Sequence, residues 1–126
     1  TDSITFNIMG RNRDGYQVLR DGEILCYHWL YPHASNAGDL NKDEVVSRKI
    51  GNSDINIAFR WGGNDDLMFA IAIRGNNCYS TIGEYWSHAE SFVNIKWTSD
   101  DVVRFYSEKK QDNLKFSNGK WHWIGH

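Results

Sequence analysis

Short runs of alternating apolar and polar residues, each closed by a turn signal, constrain this chain more than any other feature. Alternation at period 2 sends successive side chains to opposite faces of a strand. Ile4, Phe6 and Ile8 alternate with Thr5 and Asn7 as a half-buried strand would. Arg11 to Gly15 reads as a turn and Tyr16 to Arg20 as a second strand. Asp21-Gly22 is a strong two-residue hairpin signal. The following strand, Glu23 to Trp29, places Ile24, Cys26 and His28 on one face and Leu25, Tyr27 and Trp29 on the other.

The pattern repeats to the C-terminus. Glu44 to Ile50 predicts a strand. Ile55, Ile57, Phe59 and Trp61 alternate with Asn56, Ala58 and Arg60 in the clearest amphipathic strand of the chain. Leu67 to Ile73 is nearly all apolar, which predicts a central strand covered on both faces. Arg74 to Asn77 reads as a turn. Cys78 to Ile82, Ser91 to Trp97, Val102 to Tyr106, Leu114 to Phe116 and Trp121 to Ile124 complete the strands, with Ser117 to Lys120 turning the last hairpin. Trp121 and Trp123 share the core face of their strand, and His122 takes the other. Many short strands with turns every ~8–12 residues predict an all-β fold. The expectation is a single antiparallel β-sandwich, or a closed barrel, of ~8–10 strands spanning residues 1–126.

The chain length of 126 residues suits one domain with its own core. The formal charge of −2 argues against a nucleic-acid partner, which normally needs a basic surface. No run approaches the ~20 apolar residues that span a bilayer. The chain starts at Thr1, which leaves export undecided between a secreted and a cytoplasmic protein. The two cysteines, Cys26 and Cys78, are read as buried thiols ahead of a single bridge, because secreted scaffolds usually carry more.

Catalytic signatures are absent. The chain has no phosphate-binding glycine loop, no His-Glu-x-x-His and no nucleophile elbow. The carboxylate pairs Asp65-Asp66 and Asp100-Asp101 read as turn residues that satisfy local backbone donors. A binding protein is therefore expected rather than an enzyme. No cofactor is expected either. Asp39, Asn41 and Asp43 supply half of a Ca²⁺ loop, but the glycine and later glutamate of a full one are missing.

Aromatic and amide chemistry remains. Six Trp, six Tyr and six Phe are dense for a domain of this size. A sugar ring offers an apolar face to an exposed aromatic, and hydroxyls to amide and guanidinium groups. Two stretches fit. Trp29, Tyr31, His33 and Asn36 lie in and before the long loop from Leu30 to Asp43. Arg74, Asn76, Asn77, Tyr79, Tyr85, Trp86 and His88 form the second. In the second, Arg74, Asn76, Asn77 and His88 would hydrogen-bond hydroxyls, with Tyr79 or Trp86 as the stacking face.

Ser3-Ile4-Thr5-Phe6 through Asn12-Arg13-Asp14-Gly15-Tyr16 resembles the opening strand and turn of fungal fruit-body lectins. Ala58-Phe59-Arg60 and Phe69 to Ile73, followed by Asn76 and Cys78, resemble that family's central hairpin. The family shares a β-sandwich with the actinoporins, whose headgroup region Asn77-x-Tyr79-Ser80 and Tyr85-Trp86 resemble. Lys49 to Ser53, Phe59-Arg60-Trp61 and Ser91 to Ile95 are similar to a calcium-dependent bacterial galactose lectin. These resemblances imply a galactose-type glycan or glycoconjugate as partner and allow a homo-oligomer. The bacterial lectin's acidic calcium loop has no match at Arg74 to Tyr79. The fungal family's His-Asn pair survives only as Asn76, and the amphipathic N-terminal helix that pore formation requires is absent. The alternative is a protein- or membrane-binding sandwich that uses the same aromatics.

Overall fold

The computed structural model describes residues 3–9, 15–29, 45–61, 67–81, 94–109 and 111–124. Eleven strands run through them, one more than the upper end of the expected count. Strands β1 (Ile4–Met9), β2 (Gly15–Arg20) and β3 (Glu23–Trp29) form the first sheet. Strands β4 (Val45–Lys49), β5 (Asp54–Trp61), β6 (Leu67–Arg74) and β7 (Asn77–Ser80) form the second. Strands β8 (Asn94–Trp97), β9 (Val102–Tyr106), β10 (Gln111–Ser117) and β11 (Lys120–Ile124) form the third. Each sheet is an antiparallel meander of consecutive strands, and none closes into a barrel. The all-β sandwich is thus the observed class, built in three layers.

Turn chemistry sets the hairpins. Asp21 and Gly22 both have positive φ (50° and 87°), as do Asn118 and Gly119 (53° and 76°). Two consecutive positive φ values match the strands' right-handed twist in a two-residue turn, which is why Asp-Gly and Asn-Gly occupy these positions.

Two cores share the second sheet. Between the first and second sheets, Tyr16 and Val18 meet Ile57, Phe59, Phe69, Ile71 and Ile73. Between the second and third, Ala58, Ala70 and Ala72 meet Trp97, Phe105, Phe116 and Trp121. From Phe69 to Ile73 the apolar run of β6 is buried on both faces, as its composition predicts. Strand β5 differs from its amphipathic reading. Its supposed polar face is buried as well, with Asn56 and Ala58 both at 0% exposure. The alanines there are small because the third sheet's tryptophans fill the space above them. Each fully buried large apolar side chain contributes about 1.5–3 kcal/mol.

Polar groups bind the layers at their edges. Trp97 Nε1 donates to Val46 O on edge strand β4 (3.0 Å), and Trp121 Nε1 donates to Tyr79 O on edge strand β7 (3.0 Å). A buried indole N–H needs such a partner. Trp121 lies in the core with Trp123 packed against it, as expected, while His122 is exposed.

The cysteines overturn the expectation of free thiols. Cys26 of β3 and Cys78 of β7 form a disulfide, with Cα atoms 6.4 Å apart. The reason lies in topology. Both strands are sheet edges, and both side chains turn into the first core, so the bridge links the first two layers.

Candidate functional site: the outer face of the first sheet

The first sheet buries one face and exposes the other. Ile4, Phe6, Ile8, Tyr16 and Val18 point into the core. The register then sets three rows on the outer face: Met9–Gly15–Trp29, Asn7–Gln17–Tyr27 and Thr5–Leu19–Ile24. Neighbouring strands stand roughly 4.8 Å apart, and residues two apart on a strand roughly 7 Å apart. The rows therefore make a continuous patch.

One irregularity composes this patch. Val18 pairs with Cys26, but Leu19 pairs with Ile24, so Leu25 is an extra residue in β3. Such a bulge flips the alternation beyond it. The simple period-2 reading assigned Ile24 to the Cys26 face and Leu25 to the Tyr27 face. In the structure Leu25 and Cys26 both pack against the core, and Ile24 joins Tyr27 and Trp29 outside.

The result is an apolar, aromatic surface in a place that water can reach. Ile24, Tyr27 and Trp29 are 58%, 61% and 48% exposed. Gly15 seats the Trp29 indole: a Cβ there would stand 2.7 Å from Trp29 Cε3 and 3.1 Å from Met9 Cε. A glycine beneath a cross-strand aromatic lets the ring lie close on the backbone. Asn7 is exposed and Gln17 half-buried beside Tyr27, so planar amides flank the rings. Among the described residues, no charged side chain occupies these three rows.

The sequence-nominated residues divide. Trp29 belongs to this patch. Tyr31, His33, Asn36, Tyr85, Trp86 and His88 lie outside the described residues, as do the carboxylates Asp39 and Asp43 with Asn41. Arg74, Asn76, Asn77 and Tyr79 stay together on the β6–β7 hairpin of the second sheet, where Arg74 and Tyr79 pack toward the third sheet and away from the Trp29 face. Asn76 and Asn77 are exposed there. Arg74 is engaged between layers. Its Nη1 donates to Asn56 Oδ1 (2.8 Å) and its Nη2 to Asp101 Oδ1 (3.4 Å). Its guanidinium lies 4.9 Å from the Phe116 ring centre. Tyr79 is half-buried against the same ring, 5.5 Å between centroids. Both therefore act in packing the second core.

Sequence reasoning passed over Tyr27, Ile24, Asn7 and Gln17 as site residues. The placement of Tyr27 with Trp29 on one face was the available signal. Among the described residues no group of three or more His, Cys, Asp or Glu is placed to hold a metal ion. No helix among them is long and apolar enough to cross a membrane.

Comparison of the chain with protein-family models, curated proteins and solved structures gives no match. The fold alone defines the class of this protein: a three-layered, all-β sandwich with an exposed aromatic sheet face.

Proposed function

We propose that this chain is a non-catalytic carbohydrate-binding module and that the outer face of the first sheet is its binding surface. One observation carries the reading: Tyr27 and Trp29 are exposed side by side on a face that also presents Asn7 and Gln17 and, among the described residues of its three rows, no charge. Two aromatic residues spaced roughly 7 Å along one strand suit successive apolar faces of a neutral glycan chain, and the amides suit its hydroxyls. The segment resembling fungal fruit-body lectins, Ser3 to Tyr16, supplies β1 and the start of β2 in this same sheet. A galactose-type ligand is the specificity that this resemblance favours.

A glycan array followed by titration tests the proposal. Trp29→Ala and Tyr27→Ala should each weaken binding about tenfold, the equivalent of ~1.4 kcal/mol of lost stacking. Both residues are exposed, so both variants should fold. An array without hits at high protein concentration sinks the reading. A protein captured through Ile24 and Trp29, insensitive to competing sugar, would favour a protein-binding module instead.

A further inference from the structure

The outer face of the third sheet carries a different chemistry. Trp97, Val103, Phe105, Leu114, Phe116 and Trp121 point into the second core. Strand alternation then turns Lys96, Arg104, Lys115, Lys120 and His122 outward. Register brings these side chains together. Lys96 stands beside Arg104 and Arg104 beside Asn113, while Lys115 lies between Val102 and His122. Tyr106 is flanked by Asn94 and Gln111. Arg104 Nε donates to Asn113 Oδ1 (3.1 Å), which holds the guanidinium on this face.

Among the described residues no carboxylate shares these rows. Asp112 pairs with Phe105 on the inward side. Asp100 and Asp101, in the β8–β9 connection, are drawn to the second sheet by Arg48 (3.0 Å) and Arg74 (3.4 Å). A chain of formal charge −2 thus gathers four permanent cations on one sheet face.

We propose that this face binds an anionic polysaccharide, one bearing sulfate or carboxylate groups. Lysine ammonium groups serve pendant anions as mobile point charges, and an arginine fork takes a sulfate or carboxylate by two bonds. Asn94, Asn113 and Gln111 supply the amides that sugar hydroxyls require. A single-stranded nucleic acid would instead need aromatics on which successive bases stack. Here Tyr106 is the sole aromatic carbocycle in the described rows, and it is half-buried. A second copy of the chain is disfavoured, since this face repels itself and the described rows of the first sheet's outer face carry no opposite charge.

Titration with heparin, with heparin both desulfated and carboxyl-reduced, and with oligouridylate of matched length tests the inference. The intact chain should bind heparin at low salt and lose affinity steeply as salt rises. The double variant K96S/K115S should bind it at least about tenfold more weakly with an unchanged melting profile. Trp29→Ala should leave heparin binding unchanged, which separates this face from the neutral-glycan surface. Absence of heparin binding, an unaffected double variant, equal binding of the desulfated, carboxyl-reduced heparin or tighter binding of oligouridylate would each overturn it.

Discussion

Trp29 rests on Gly15 so closely that a single methyl group on the glycine would reach 2.7 Å from the indole edge. The two residues are cross-strand partners at the end of the first sheet. The missing side chain of one thus sets the position of the most accessible indole in the described structure. Gly15→Ala should displace Trp29 without unfolding the sheet, because the ring is half in solvent and can move. The alanine also removes some backbone freedom from the unfolded chain, an offset of roughly 0.5–1 kcal/mol. The expected outcome is stability within about 1 kcal/mol of the parent and glycan affinity reduced about tenfold. Urea unfolding and glycan titration on the same preparation check both halves. Undiminished binding would show that the seat under Trp29 does not matter to the ligand.

The Cys26–Cys78 bridge closes 52 residues of sequence and ties edge strand β3 to edge strand β7. Loop-closure entropy over that span corresponds to ~4 kcal/mol of stabilisation in the chain-entropy account. Cys26→Ala with Cys78→Ala should lower unfolding free energy by about that amount. The effect is measurable by urea titration, and reductant should reproduce it in the parent chain. Because β3 also carries Tyr27 and Trp29, the reduced protein should lose glycan affinity before it loses global structure. A reduced chain as stable as the oxidised one would remove the bridge from the account of the fold.

Asn56 sits at 0% exposure between the second and third sheets. Its Nδ2 donates to Asp100 O (2.6 Å), and its Oδ1 accepts from Arg74 (2.8 Å). Asn56→Ala leaves the Asp100 carbonyl short of this donor and the Arg74 guanidinium short of this acceptor, which costs about 2 kcal/mol. Arg74→Met keeps apolar contact with Phe116 but removes the ion pair to Asp101. The double variant should lose less than the sum of the two, since both changes break one shared hydrogen bond. Strict additivity in urea unfolding would deny that the network acts as a unit.

Much of this architecture is legible in local pattern. Alternation at Ile4 to Ile8, the Asp21-Gly22 turn and the unbroken apolar run of β6 each report a strictly local preference. What the pattern misses is set by distant partners. Ala58 looks neutral until the third sheet is placed over it. Arg74 looks like an available hydrogen-bonding group until Asn56 and Asp101 arrive from other strands. The β3 bulge inserts one residue and reverses the facing of Ile24, a change no period-2 reading can anticipate. Of the candidate site, Trp29 was visible as a residue, but the surface around it exists only through the register of three strands.

Tyr16 makes the alkaline limit of stability predictable. Its ring is buried against Phe6 and Phe59, 5.7 and 5.9 Å between centroids, and its hydroxyl lies 3.4 Å from Ser80 Oγ. Burial raises its pKa above the ordinary phenol value, and the hydrogen bond with Ser80 offsets this in part. The folded chain therefore holds the phenolic proton more tightly than the unfolded chain does. This contribution is fully present below the unfolded value of about 10 and is lost as pH rises from there through the higher folded value. Tyr16→Phe keeps the ring packing and removes the titrating group. Its unfolding free energy should resemble the parent's near about pH 8 and fall less steeply between about pH 10 and pH 11. Urea unfolding at these pH values measures the difference directly. Identical alkaline slopes for the two proteins would assign the loss to groups other than Tyr16.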